Sequence, residues 1–558
     1  MIKSLASMLV FALPMMVAQS PTSSEIEQLK QMLADQQRQI DELRHLLGMP
    51  RNAHQGIGEV AGTTTILPPA PAVSAPAFTP TPAASGQQGS DATTCCFDLL
   101  KKGKDGQIAW SDTTGPLQFK IGDALVTPVG FMDMTSVTRS TSPGTGIGTN
   151  FGSIPYGNTQ AGSLTESRLS MQNSRIGMRI DTAFHDFKIQ GYWESDFLGQ
   201  IGSPPNGALA VSSNPYVFRI RLFWVDVKKG KNEFLAGQAW SMMTPNRSGI
   251  SPIPGDIFFG QTIDINYQLG LIWGRIPGFR YVYHPSEKVA FGLALENSEP
   301  YVGGGNGGSG AVLPAAISTA NAVSGAVLGG QINNGSSTIS AAALHPDIIA
   351  KLAFDPSKKV HFEIAGVEIT NKIAYPVTGP AFPTNTKAGG GGSVNLNVEL
   401  APNFRFLTNN FYSAGAGRYI FGQAPDFIIR SNGSLSLVHS ASTVTGFEFK
   451  PKKTLFYTYY GVVYIPKNMA LDANGTTKIG YGSIASDGQN RAIQEITFGT
   501  NTDLLKDAKW GALNLMFQYS YVQRNPWLAA TGAPSNAHAS MGFINLRYTL
   551  PGAPPPAK

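Results

Sequence analysis

Over stretches of about ten residues, apolar and polar side chains alternate along this chain with a period of two, the spacing of a β-strand rather than a helix. The pattern is clearest near the end. In WGALNLMFQYSYV (510–522), Leu513, Leu515, Phe517, Tyr519 and Tyr521 alternate with Ala512, Asn514, Met516, Gln518 and Ser520. In HASMGFINLRYTL (538–550), Ile544, Leu546, Tyr548 and Leu550 are set against Asn545, Arg547 and Thr549. One face of each strand is greasy and the other small or polar. Hydrocarbon offers a backbone N–H or C=O no partner, so long strands that are apolar on one side suit a closed transmembrane barrel.

Upstream strands repeat the pattern and place charge on the parity away from lipid. RLSMQNSRIGMRID (168–181) sets Asn173, Arg175 and Arg179 against Ile176, Met178 and Ile180. FKIQGYWESDF (187–197) sets Lys188, Gln190, Tyr192, Glu194 and Asp196 against Ile189, Trp193 and Phe197. In VFRIRLFWVDV (217–227), Arg219 and Arg221 oppose Phe218, Ile220, Leu222 and Trp224, and VNLNVEL (394–400) alternates in the same way. Further candidates lie at 124–138, 231–240, 264–274, 278–296, 347–370, 404–412, 434–465 and 491–501. The fold expected is all-β, a transmembrane antiparallel barrel over 115–550 of about sixteen strands, eighteen being possible, a size that leaves an aqueous channel.

Composition agrees with alternation. Charged residues make up only 14% of the chain, against roughly 25% in soluble proteins, and the mean hydropathy of -0.06 is what outward apolar and inward polar residues average to. The net charge of +6 over 558 residues is mild, and no basic cluster carries RNA-type motifs, so no nucleic-acid partner is implied.

The N-terminal end carries other signals. Lys3, an apolar run from Leu5 to Val17 broken by Pro14, and the small residues Ala18 and Ser20 read as a secretory signal over 1–20. Residues 24–48 change to a helical period, with Ile26, Leu29, Leu33, Gln36, Ile40, Leu43 and Leu47 at the a and d positions of a short coiled coil. Ser24 and Glu27 have capping-box spacing, and Gly48 and Pro50 end the helix. A lone helix with such a seam is expected to self-associate, or else to fold onto its own barrel. Residues 49–114 form a Pro/Ala/Thr-rich linker that would let the coil stand off in the periplasm. It contains the only cysteines, Cys95 and Cys96. In an oxidising compartment these favour a disulfide, either between the two neighbours with strain or between chains of an oligomer. No set with metal-ligand spacing accompanies them.

Little catalytic chemistry is legible, and no cofactor is implied. GNGGSG (305–310) fits a nucleotide-loop pattern but sits in a low-complexity loop, 303–343, without its strand and helix. A barrel hydrolase would need a His beside a Ser, for which His439 with Ser434 or Ser436 is the nearest approach. The stronger signal is a basic stripe. Arg175, Arg179, Arg219 and Arg221, extended by Arg275 and Arg280 and opposed by Glu194 and Asp196, would line a diffusion path and focus a field on solutes. The bland alternative is that each arginine stiffens the wall by pairing with a neighbouring acid, and a plugged, coil-tethered barrel linking envelope layers is the alternative role.

SRIGMRI (174–180), YWESDFLG (192–199), RIRLFWVDV (219–227), FLAGQAWSMM (234–243) and the closing INLRYTL (544–550), preceded by a coil, resemble the DcaP-like family of trimeric outer-membrane porins. That resemblance implies a sixteen-stranded barrel in the outer membrane of a Gram-negative-type cell, with a periplasmic coil. It further implies a homotrimer, contact with outer-membrane lipids and lipopolysaccharide, and passive uptake of small anionic solutes such as dicarboxylates, without catalysis. Two features depart from the family pattern: the tail PGAPPPAK after Leu550, where such barrels usually stop at an aromatic residue, and the 303–343 insertion.

Overall fold

The computed structural model describes residues 118–552 except 200–215, 255–257, 264–265, 304–309, 318–342, 376–382 and 485–488, together with a paired strand couple, Leu100–Lys102 and Ile108–Trp110. The expected signal, the coil from Ile26 to Leu47 and the Cys95–Cys96 pair lie outside the described residues.

Sixteen long antiparallel strands close into one barrel. In chain order they are β1 (Ala124–Arg139), β2 (Arg175–Phe184), β3 (Phe187–Gly199), β4 (Val217–Lys229), β5 (Asn232–Trp240), β6 (Arg275–Ser286), β7 (Val289–Glu296) and β8 (Asp347–Ser357). The second half comprises β9 (Val360–Ala374), β10 (Thr384–Ala401), β11 (Phe404–Ala414), β12 (His439–Phe449), β13 (Thr454–Tyr464), β14 (Asn490–Asp507), β15 (Gly511–Pro526) and β16 (Ala537–Thr549). Each strand pairs with the next, and β16 returns to β1, from Met541 opposite Arg139 to Thr549 opposite Phe131. The strand expected to be last therefore closes the ladder despite the tail behind it. Two short strands, Phe119–Ile121 and Glu166–Ser170, pair with the two ends of the long β1. The stretch read as one strand over 168–181 is thus interrupted at 171–174, where β1 changes partner from Glu166–Ser170 to β2.

The ends of the barrel differ. From β2–β3 to β14–β15, alternate connections are tight turns, of which 450–453 is the longest; the other connections are long. Outward side chains such as Ile176, Phe223, Phe279, Leu293, Ile364, Phe498 and Ile544 are exposed, whereas the inward Thr135, Asn395, Asn409, Thr497, Ser520 and Asn545 are buried. An apolar surface of that extent is matched by lipid, not water.

Segments 278–296, 347–370 and 434–465 each hold two barrel strands around a turn, as the count of about sixteen strands requires. Two sequence expectations need correction. Of the segment 264–274, the described residues 266–274 form no strand and belong to an inward loop. In β4, Leu222 and Trp224 face inward and are buried, while Phe223 and Val225 face out. A bulge explains the switch: Ser195 of β3 faces Ile220 and the next residue, Glu194, faces Leu222, so Arg221 is the extra residue and the parity flips beyond it. Arg221 and Leu222 thereby both point inward.

Replacing Ile364 with arginine on the outward face is expected to cost about 2–4 kcal/mol if it lies near the bilayer midplane. Urea unfolding in lipid vesicles measures this, with Ile364→Leu as the near-neutral control.

Candidate pore constriction

The connection from β5 to β6, residues 241–274, combines chain breakers with grease. Pro245, Pro252, Pro254 and several glycines exclude regular structure, yet Met242, Met243, Ile263, Leu269, Ile272 and Trp273 are apolar and buried. The loop folds into the barrel, and its backbone donors must then find acceptors away from bulk water. Wall side chains supply them. The Asn246 N–H donates to the Glu363 carboxylate of β9 at 3.1 Å, and the Leu269 N–H to Glu495 of β14 at 2.8 Å. The Phe259 N–H donates to the Tyr459 hydroxyl of β13 at 3.0 Å, and that of Gln261 to the Gln518 side chain of β15. From β8, the Lys351 ammonium donates to the Thr244 carbonyl at 2.8 Å. Arg247 closes a bidentate pair with Glu448 of β12, both groups buried.

Backbone also meets backbone. A Cβ on Gly461 of β13 would stand 2.0 Å from the Leu269 carbonyl oxygen, and one on Gly270, whose φ is +86°, 2.0 Å from that of Thr443. Only glycine admits so close an approach, and at Gly270 only glycine takes the left-handed backbone without strain.

The facing wall is basic. Arg219 grips Asp196 through Nε at 3.1 Å and Nη2 at 2.7 Å. Arg221 bridges Glu194 and Asp196, each at 2.7 Å. Arg175 stands 3.6 Å from Glu194. Across Phe131, whose ring both Arg175 and Arg547 cover, Arg547 holds Asp133 at 2.7 Å. From the loop, the Tyr267 hydroxyl accepts from Arg221 at 3.1 Å and from Arg275 at 2.9 Å, while Arg275 lies over the rings of Trp240 and Trp273. This set contains five guanidiniums and three carboxylates. Accessibility divides them: the Glu194, Asp196 and Asp133 side chains are 9%, 1% and 0% exposed, against 21%, 32% and 17% for Arg175, Arg219 and Arg547.

Of the sequence-selected residues, Arg175, Arg219, Arg221, Arg275, Glu194 and Asp196 come together here. Arg179 instead pairs with Asp181 at 2.7 Å, and Arg280 is buried with its Nη2 on the Trp240 carbonyl at 2.6 Å. Sequence reading missed Tyr267, the Arg247–Glu448 pair and the Asp133–Arg547 pair; the only signal for the first two was an interstrand segment too apolar for a surface loop. His439 meets the Tyr412 hydroxyl at 2.6 Å, while Ser434 and Ser436 bond Asn432 and Asn468, so no serine–histidine pair forms among them.

A second buried cluster ties the long connections together. Asp426, in the loop after β11, accepts from the backbone of Arg418 at 2.8 Å and of Tyr301 at 2.9 Å. Arg418 reaches Asp426 at 2.9 Å, Asp347 at 3.4 Å and Asn371 at 2.8 Å. Burial pushes the Asp426 carboxyl up to about 6, and burial likewise pushes Glu299 up to about 7.

Sixteen staggered strands, tight turns at one end, and a loop drawn into the lumen against a basic wall define the architecture. The chain has the fold of an outer-membrane channel. It matches the crystal structure of the outer membrane channel DcaP of Acinetobacter baumannii over 77% of this chain and 99% of that one, at 14% identity and a TM-score of 0.54. The resemblance to DcaP-like porins thus holds at the level of the fold. Lower similarity extends to an anion-selective porin from Comamonas acidovorans (9% identity, 76% and 100% covered, TM-score 0.42) and to Salmonella typhi OmpF in complex with daunomycin (10%, 78% and 100%, 0.41). No protein-family model and no curated protein matches the sequence.

Two outcomes follow from this geometry. Glu448→Ala removes two charge-assisted hydrogen bonds from the buried Arg247 guanidinium, at a cost of about 1.5–3 kcal/mol. Trypsin is expected to cut the folded Glu448→Ala barrel after Arg247 faster than it cuts the parent. The Asp426 carboxyl binds its proton more tightly in the folded protein than its ordinary value near 3.8 allows. Its contact is therefore most stable at acid pH and weakens as pH rises through about 6. Protection of 415–438, relative to the intrinsic exchange rate at each pH, should be greater at pH 5 than at pH 7.5, with the difference reduced in Asp426→Asn.

Proposed function

We propose that this protein is a passive outer-membrane porin for small hydrophilic solutes, with preference for anionic organic ones such as carboxylates. One observation carries the reading: at the basic wall the carboxylates are covered while the side chains of Arg175, Arg219 and Arg547 remain partly accessible to water. A solute passing the loop meets cations whose counter-charges lie behind them. Fixed positive charge between low-dielectric walls raises the local concentration of anions, and guanidinium binds carboxylate through paired hydrogen bonds. Each group is already half satisfied, so it holds a solute weakly enough to release it. The reading involves no catalytic step and no cofactor. The fold shared with DcaP, described as an outer membrane channel, supports it.

In this reading the tight turns face the periplasm and the long loops the exterior, as in other outer-membrane barrels. The seam of Ile26, Leu29, Leu33, Gln36, Ile40, Leu43 and Leu47 would hold three copies together below a membrane of lipid and lipopolysaccharide, with Cys95 and Cys96 in the linker between coil and barrel. The plugged-tether alternative fits less well, because water reaches these arginine side chains in the lumen.

A planar bilayer under a salt gradient tests this. Stepwise conductance is expected, with a zero-current potential that reports anion preference. The double variant Arg175→Gln/Arg219→Gln should lower the anion-to-cation permeability ratio several-fold while leaving the barrel folded. Electrical silence from folded protein, or a preference for cations, would overturn the proposal.

A further inference from the structure

The tight-turn end of the barrel carries a ring of lysines. Seven tight turns lie there, and five of them hold lysines whose ammonium groups have no carboxylate partner among the described residues. Lys231 stands in the β4–β5 turn, Lys288 in the β6–β7 turn, and Lys358 with Lys359 in the β8–β9 turn. Lys452 and Lys453 belong to the β12–β13 turn and Lys509 to the β14–β15 turn. All of them are exposed. Acids nearby are already taken, Asp186 by Lys229 at 3.1 Å, Glu233 by Lys228 at 2.9 Å and Asp503 by Lys450 at 3.0 Å. Within the five turns the one carboxylate is Glu287.

The height of the ring follows from its neighbours. Outward aromatic side chains stand at the strand ends beside the turns: Tyr283 and Phe291 flank 287–288, Phe354 precedes 358–359, and Phe449 and Phe456 flank 450–453, all exposed. Trp510, 60% exposed, lies in the last turn with the Lys509 ammonium 5.0 Å from its ring centroid. Aromatic girdles mark the two edges of the hydrocarbon band in barrels of this kind. The lysines sit just beyond one girdle, at headgroup level, where a flexible four-carbon stem lies along the apolar boundary and its ammonium reaches a phosphate.

We propose that this ring docks the headgroups of anionic glycerophospholipids in the leaflet around the tight turns. It rests on the porin reading for which leaflet that is, the periplasmic one. The partner follows from charge. A phosphatidylglycerol headgroup bears a net negative charge, whereas the phosphate of phosphatidylethanolamine is already countered by its own ammonium. Basic residues near an anionic lipid surface add their attractions, and salt screens them. Lysines spread over five turns therefore hold a shell of lipids and not one molecule in one pocket.

The test reads lipid retention by native mass spectrometry of the full-length protein, taken from mixed micelles with equal amounts of phosphatidylglycerol and phosphatidylethanolamine. Several-fold more phosphatidylglycerol should be retained, and the excess should shrink as salt is raised. Lys358→Gln/Lys359→Gln/Lys452→Gln/Lys453→Gln should cut that excess severely, and arginine at the same four positions should keep it. Lys467→Gln/Arg491→Gln, beside Trp527 at the opposite end, should leave it intact. Each variant is first checked for folded mobility on unheated gels, and bilayer conductance is recorded from the same preparation. Equal retention of both lipids by the parent, a preference unchanged in the four-glutamine variant, or one lost only in the opposite-end variant overturns the ring, while persistent conductance and anion preference leave the porin standing. A four-glutamine variant that shifts the anion-to-cation permeability ratio but keeps its lipid preference assigns the lysines to solutes leaving the pore and overturns it too. Electrical silence from folded protein overturns the porin reading, and the retention data then decide the ring by themselves.

Discussion

Everything in this molecule depends on the closure of one hydrogen-bond ladder. An edge strand facing hydrocarbon would leave a row of unpaired N–H and C=O groups, each costing several kcal/mol, so β16 must find β1, and it does so over nine residue pairs from Met541–Arg139 to Thr549–Phe131. Once the outside is committed to lipid, all polarity goes inward. The inward face then has capacity to bond a buried loop, which is why 241–274 can enter the lumen with the amides of Asn246, Phe259, Gln261 and Leu269 bonded to wall side chains.

Six described acids of the lumen are engaged in structure. Glu363, Glu448 and Glu495 hold the loop, and Glu194, Asp196 and Asp133 lie under the arginines. In the barrel order β12, which carries Glu448, stands eight strands from β4, which carries Arg219 and Arg221. One wall therefore spends its charge on the loop while the opposite wall presents charge to water. A near-neutral set of side chains acquires a positive surface through burial, which a count of charges along the chain does not register.

The fold was legible because lipid imposes a strict two-residue period on every strand. Parity placed Asn545 and Arg547 inward and Ile544 and Leu546 outward without reference to any neighbour. It failed where the backbone breaks its own period, as at the Arg221 bulge, which turns Leu222 and Trp224 inward. The constriction was half legible for a related reason. Alternation assigns Arg175, Arg219 and Arg221 a face but no height, and it cannot distinguish them from Arg179, which pairs with Asp181, or from Arg280, which is buried behind Trp240. The loop residues were illegible, since 264–274 has a strand's grease and no local signal states that its partners are wall side chains such as Glu495 of β14 and Arg221 of β4.

The seat of the loop on Gly461 and, through its own Gly270, on the Thr443 carbonyl has a further consequence. There the loop rests on the wall through main-chain atoms, with no rotamers in between, so the width of the passage is gauged by the spacing of the ladder itself. The rim that touches solutes is made of side chains held elsewhere on the same loop and wall. Aperture and affinity are thus separate inheritances: the lining can be exchanged residue by residue for a different diet while the sieve keeps its mesh.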